Sequence, residues 1–392
     1  MRPATDGSDM RVIGLMSGTS YDAIDAAAAD LRLEGDQLVL TPLGMLSQPY
    51  PDELRAAIAA ALPPAPTTME QVCRLDTGIG QAFAAVARQA VEQLCGGYAE
   101  LIVSHGQTMF HWVDGAAVRG TLQLGQPAWI AEATGVPVVS DLRARDVAAG
   151  GQGAPLVSII DVLWLRGRPG VPVALNLGGI ANITVVHGDP VAFDTGPANA
   201  LIDAVVQELT GQPFDADGVL AARGQVQLEL LDRLLAEPYY ARPAPKSTGK
   251  ELFNLAYVAR ALEGLPVIPA EDLVATVTTL TARTVADAVR RYGGTEVIAS
   301  GGGIRNPALM HLLADELEIP VRTTDELGIP SPAKEAYAFA VLGFLTVHGL
   351  GGTVPSCTGA GHSSVLGSVT PGPSGLPTIS GEARPPRALS VL

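Results

Sequence analysis

Cysteine is scarce. The three present, Cys73, Cys95 and Cys357, are odd in number, widely spaced and in no CxxC pattern within 392 residues. That excludes a disulfide framework and a cysteine-rich zinc cluster, and it points to a reducing cytoplasm. Positive charge is also short: 25 Lys and Arg against 40 Asp and Glu leave a net charge of −15. No Lys/Arg cluster relieves this, so broad electrostatic gripping of a nucleic acid is excluded, whereas a local anion site built from backbone N–H groups is not. Long apolar runs are missing too. Residues Ala336 to Val347, ended by His348, make up about half of the roughly 20 residues of a membrane span. The opening stretch MRPATDGSDMRVIGLMSG lacks an apolar segment leading to a small-residue cleavage site, so no signal peptide is expected. The expectation is a soluble cytoplasmic protein, with neither nucleic acid nor membrane as partner.

Hydrophobic residues are plentiful at 47%, enough for a sizeable core, and the length suits two or three domains. Glycine, 44 in all, gathers where strand-like runs meet helix-like runs: Gly14 and Gly18, Gly150-Gly151-Gln152-Gly153, Gly178-Gly179 and Gly301-Gly302-Gly303. Strands are expected at Val12–Leu15, Ala26–Leu33, Leu101–Val103, Val171–Asn176, Ile183–His187, Val191–Phe193 and Glu296–Ala299. Helices are expected at Pro51–Leu62, Leu75–Leu94, Ala198–Leu209, Asp272–Tyr292, Pro307–Leu317 and Lys334–Val347. Such alternation argues for α/β layers. Two hairpin-and-loop units, VIGLMSGTSYDAIDAA and ALNLGGIANITVV with AFDTGPANALIDA, echo one another about 175 residues apart and suggest two similar halves.

Each motif has two readings. Ser17-Gly18-Thr19-Ser20, with Asp22 and Asp25, can wrap phosphate oxygens and hold magnesium at Asp22, or simply close a hairpin. It is neither a Walker A loop nor a dinucleotide GxGxxG. Asp194 stands at a strand end before a helix, as a general base or as a helix-capping carboxylate. Gly301-Gly302-Gly303, followed by Asn306, leaves room for a nucleotide against bare backbone, or is a flexible turn. His105, Gln107 and Thr108 suit sugar hydroxyls, and Arg143 a carboxylate or phosphate; a structural histidine and an internal ion-pair network are the alternatives. Glu335 either reaches a ligand or favours a helix N-terminus.

Taken in order, GLMSGTSYDAIDAA, SHGQT, DLRARDVAAGGQGAPL, LNLGGIANIT, AFDTGPAN, KSTGKELFN, SGGGIRNPALM and PSPAKEAYAFAVLG resemble the anhydro-N-acetylmuramic acid kinases from about Val12 to Pro371. The resemblance implies the two-lobed α/β fold of actin, Hsp70 and the sugar kinases (ribonuclease H-like), with a nucleotide cleft between lobes. Its lobes are expected over 1–150 plus 336–370 and over 151–335, the latter binding nucleotide; separately, the Pro-, Gly- and Ser-rich composition without periodicity from about Pro371 predicts a disordered tail over 371–392. The implied reaction takes 1,6-anhydro-N-acetylmuramic acid, ATP and water to N-acetylmuramic acid 6-phosphate and ADP in cell-wall recycling, with Mg2+ and as a homodimer. By similarity Asp194 is the catalytic base. Gly18, Thr19, Ser20, Tyr21, Asp22, Ala23, Ile24 and Asp25 form the ATP phosphate loop; Gly178, Gly179, Gly301, Gly302, Gly303 and Asn306 also serve the nucleotide. His105, Gln107, Arg143, Gln152 and Glu335 fall near the sugar. Tyr21 and Ala23 depart from the family's Leu or Met and Gly, with Ala23 expected to crowd a phosphate or resist positive φ. A kinase of a free sugar on the same fold is the competing enzyme reading, and an ATP-dependent chaperone or filament protein the competing class.

Overall fold

A computed structural model describes residues 9–18, 20–115, 117–377, 379 and 383–392. The first strands are β1 (Met10–Met16), β2 (Ala23–Glu34), β3 (Gln37–Pro49) and β4 (Leu101–Ser104), followed by a hairpin of β5 (Gln107–Asp114) and β6 (Ala117–Leu124), and by β7 (Val138–Ser140). Then come β8 (Pro172–Leu177), β9 (Ile180–Val185), β10 (Val191–Pro197), β11 (Glu296–Ser300) and β12 (Val321–Thr323), and finally β13 (Ser368–Thr370) and β14 (Ala388–Val391). The chain divides into two compact units, Met1–Arg166 with Ala333–Leu392, and Gly167–Pro332. The junctions therefore fall at 166/167 and 332/333 rather than at 150/151 and 335/336.

The first unit is built on a seven-stranded sheet ordered β13-β7-β4-β1-β2-β3-β14. Its β2 carries the run Ala26–Ala29, fully buried. Alanine favours helix in isolation, but here small side chains let helices approach both faces, so tertiary packing decides. Helix Met69–Leu94 packs on β2, and the apolar helix Lys334–Val347 packs on β1, β2 and β4. The second contact is close enough to demand glycine: a Cβ at Gly14 of β1 would fall on the carbonyl oxygen of Ala336, and one at Gly343 on the Val103 side chain.

The second unit holds a five-stranded sheet ordered β10-β9-β8-β11-β12. Leu175, Leu177, Ala181, Ile183 and Phe193 share a core with Val285 and Val289 of helix Ala270–Arg291 and with Leu309 and Leu313 of helix Pro307–Leu317.

The two sheets repeat one topology. In the first, β1, β2 and β3 run antiparallel while β4 and β7 lie parallel beyond β1. In the second, β8, β9 and β10 run antiparallel while β11 and β12 lie parallel beyond β8. Each unit thus has the strand order 3-2-1-4-5 of a ribonuclease H-like half, which accounts for the echo between the two glycine-bearing hairpins.

The fold also departs from expectation at the C-terminal end of the expected tail over 371–392, where Ala388–Val391 pairs parallel with Gln37–Leu40 at the edge of the first sheet. Past a Pro- and Gly-rich stretch, the sequence Ala-Leu-Ser-Val-Leu supplies the apolar residues that make this pairing worthwhile, and Leu389 is buried.

Candidate active site

The turn between β1 and β2 is closed by Tyr21 N donating to Gly18 O at 3.2 Å and by Ser20 Oγ donating to Asp22 Oδ1 at 2.6 Å. Tyr21 adopts φ 41°, the left-handed region that side chains disfavour by about 1–2 kcal/mol. Ala23 already lies in β2, paired with Pro49, so the positive φ expected at Ala23 is borne two residues earlier. Asp22 is exposed; Asp25, on β2, is half-buried, and burial pushes its carboxyl above the usual range. Ile24 points into the core, fully buried, which leaves only its backbone for a ligand. Thr19 lies outside the described residues. Gln107 is fully buried behind the turn. Its Oε1 accepts from Ser17 Oγ at 2.8 Å and from Tyr50 OH at 3.2 Å, and its Nε2 donates to Gly18 O at 3.1 Å. Those bonds make Gln107 a positioning residue of the turn rather than a group free to meet sugar.

A second cluster in the same unit gathers around Arg143, on the short helix Leu142–Ala148. Its guanidinium donates to Gly153 O at 2.7 Å and, from Nη2 at 3.1 Å, to His105 Nε2. Accepting at Nε2 fixes the proton on Nδ1, so His105 is a neutral imidazole. Burial, reinforced by the Arg143 charge, holds its pKa well below the ordinary value. The ring stacks on Phe339 at 4.4 Å between centroids, and His105 Nδ1 and Ser104 Oγ are buried without a hydrogen-bond partner among the described residues. Asp146 is structural: its carboxylate accepts from Gly153 N and Thr358 Oγ1, each at 2.8 Å. It thereby shapes the 150–153 loop, where Gln152 N donates to Thr358 O at 2.8 Å. Glu335 opens the helix over β1; burial raises its carboxyl pKa, opposed by the charges of Lys334 and Arg143. Among the described residues the side chains of DLRARD form no ion pair with one another, although Arg143 feels the charge of Asp146. The motif places Arg143 on His105 and Asp146 on a glycine loop.

In the second unit Asp194 sits within β10 rather than at its end, at a register shift between Asp194 and Gly196. The helix that follows, Asn199–Thr210, begins at Ala198 without a side-chain cap, which removes the capping role for Asp194. Asp194 pairs with Asn182 of β9, which pairs with Asn176 of β8. Directly opposed residues share a face, so this polar row lies opposite the apolar face formed by their neighbours. Asp194 Oδ2 accepts from Thr248 N at 2.9 Å, and Asp194 N donates to Lys246 O at 3.1 Å. Oδ1 has no hydrogen bond among the described residues. The carboxyl pKa is pushed up to about 6, mainly by burial; the Thr248 N–H opposes this, and Glu251 adds to it.

Beside this row lie the glycine turns. A Cβ at Gly301, where φ is +86°, would stand 2.6 Å from Asn176 Oδ1; one at Gly178 would stand 3.5 Å from Asn176 Nδ2. Gly303 abuts Leu177 and Asn199, and Asn199 Nδ2 donates to Leu177 O at 3.0 Å. The two turns are thus brought together around Asn176 and Asn199, which residue type alone does not mark out. Asn306 instead caps helix Pro307–Leu317, accepting from Leu309 N at 3.1 Å.

Among the described residues no group of three or more His, Cys, Asp or Glu could cage a metal ion. Magnesium that travels with a nucleotide needs only one or two carboxylates beside the phosphates, and exposed Asp22 on the hydroxyl-lined turn fits that demand. No helix is long and apolar enough to cross a membrane among the described residues.

The family model described as anhydro-N-acetylmuramic acid kinase matches residues 10–372. A protein of that name from Rhodococcus erythropolis is 64% identical over 394 residues, covering 97% of this chain and 99% of its own. One from Streptomyces avermitilis is 67% identical over 382 residues, covering 97% of each chain.

Proposed function

The chain belongs to the anhydro-N-acetylmuramic acid kinase family, and from that premise we propose that it converts 1,6-anhydro-N-acetylmuramic acid, ATP and water to N-acetylmuramic acid 6-phosphate and ADP. The observation that carries the chemistry is Asp194: a carboxylate with one oxygen fixed by Thr248 N–H, the other without a partner, and a pKa near 6. Such a group is ionised at neutral pH yet basic enough to take a proton in the transition state. In the substrate O6 is tied to C1, so no free 6-hydroxyl exists. Asp194 Oδ1 takes a proton from water as the water oxygen bonds to C1. The C1–O6 bond breaks with its electron pair going to O6, which attacks the γ-phosphorus. The bond from γ-phosphorus to the β,γ-bridging oxygen breaks, ADP leaves, and Asp194 returns its proton to solvent.

The two clusters of the first unit take complementary parts in this reading. The 17–22 turn, held from behind by Gln107, presents backbone N–H groups to the triphosphate. Magnesium, held at Asp22, would neutralise charge on the β- and γ-phosphate oxygens. Neutral His105, its Nδ1–H unspent, and Arg143 supply donors for the hydroxyl, amide and carboxylate groups of the sugar. In the second unit the turns around Asn176 and Asn199 receive the nucleotide. We extend the reading to a cytoplasmic homodimer acting in peptidoglycan recycling. The test is turnover in 18O-water with Mg-ATP and the anhydro sugar, followed by mass spectrometry. One heavy oxygen on the sugar of the 6-phosphate product is expected; ADP released without that product would overturn the assignment in favour of a kinase of another sugar.

A further inference from the structure

The segment that pins Asp194 does not end at Thr248. Two residues on, Lys250 comes back to the β8–β9 turn: a Cβ placed on Gly179 would lie 3.9 Å from Lys250 Cε. Gly179 O accepts from Ala198 N and Ala200 N, each at 3.1 Å, at the start of helix Asn199–Thr210. Lys250 therefore stands where a glycine turn meets a helix N-terminus. Its side chain is exposed and makes no hydrogen bond or ion pair among the described residues. Asp203, one turn along that helix, feels its charge, which opposes the upward push of burial on the Asp203 carboxyl. A cation at a bare glycine turn beside a helix N-terminus is the arrangement that meets a phosphate as a point charge.

We propose that Lys250 contacts the phosphate chain of the bound nucleotide over the Gly178–Gly179 turn, on the same segment whose Thr248 N–H orients Asp194. The inference rests on reading that turn as part of the nucleotide site. A single short segment then serves both ends of the reaction: its Thr248 amide fixes the base, and its Lys250 ammonium offsets charge on the nucleotide. Retaining one and losing the other is expected to separate nucleotide binding from proton transfer.

The experiment compares Lys250→Met and Lys250→Arg with the unsubstituted protein, measuring ATP, ADP and adenosine dissociation constants without sugar and then turnover with it. Charge-assisted hydrogen bonds set the scale, so the Met variant is expected to bind ATP about 10- to 100-fold more weakly. Adenosine affinity should stay unchanged and the Arg variant should recover most of the ATP affinity. Should the Met variant fail to fold, Lys250→Gln gives the same comparison. ATP affinity unchanged in the neutral variant, or adenosine affinity lost by the same factor as ATP, would overturn the inference. Failure of the unsubstituted protein to turn over the anhydro sugar would count against the proposed reaction, while the ATP-to-adenosine ratio would still judge Lys250.

Discussion

Lowering the pH from 7 to 5 is expected to cut kcat/KM about tenfold through Asp194 alone. With its pKa near 6, the carboxylate fraction falls from about nine-tenths to about one-tenth across that interval. An aspartate at its ordinary 3.8 would lose less than about a tenth of its carboxylate over the same range. The assay is product formation between pH 4.5 and 8, with nucleotide affinity measured in parallel to remove the titration of the phosphates themselves. Replacing Glu251, whose charge adds to the shift, by Gln should move the acid limb to lower pH. Asp194→Asn should lose about 10²- to 10⁴-fold in rate and have no such limb. Stability gives an independent check with the opposite sense. Because the folded-state pKa lies above the unfolded one, the native protein binds this proton more tightly, and ionisation penalises the fold. The penalty, on the order of 3 kcal/mol, is full above about pH 6 and gone below about pH 4. Asp194→Asn should therefore raise the melting temperature at pH 7 and leave it unchanged near pH 4. A flat rate profile down to pH 5, or an Asn variant less stable than its parent at pH 7, would refute the reasoning.

Two further substitutions test the supports of the first unit. Gln107→Ala strands the partners Ser17, Tyr50 and Gly18; chemical denaturation should show a loss of about 1–3 kcal/mol, and kinetics a KM for ATP raised several-fold with kcat less affected. Lys334 and Asp161 form a buried ion pair at 2.6 Å. Lys334→Met should cost about 3–5 kcal/mol by leaving the Asp161 charge buried, and adding Asp161→Leu should restore most of it; a double variant no better than the single one would show that the pair is not the cause.

The elements that position the site were legible because their sequences are locally consistent. The strand runs around Val12–Leu15, Leu101–Val103 and Glu296–Ala299 sit inside observed strands, and helix Pro307–Leu317 matches its expected bounds. Strand β3 was not legible. Its sequence QLVLTPLGMLSQP carries Pro42, Gly44 and Pro49, and its irregularity is absorbed at a register shift opposite Ala28 and Ala29. The β5–β6 hairpin shows in the sequence as a polar cluster, which does not itself announce its pairing. In the candidate site, Asp194 and Arg143 stood out by residue type. Thr248 did not, because it acts through a backbone N–H, which any residue but proline possesses. Asn176 and Asn199 were hidden for a related reason: what distinguishes them is which glycine turns the sheet brings to their side. The burden of positive φ at Tyr21 likewise depends on where β2 begins, which periodicity leaves uncertain by a residue or two.

The interruption of the first unit by the second has a consequence for synthesis. Helix Lys334–Val347, which covers β1 and β2, and strand β14, which extends their sheet, are encoded after the whole of the second unit. At ordinary translation rates that unit takes about ten to thirty seconds to emerge. During this interval the apolar face that Gly14 opens for the helix has nothing to cover it. The second unit, contiguous in the chain, can complete its own sheet first, so the nascent protein has a finished latter half and an unfinished beginning, and it is the early strands that need shelter on the ribosome.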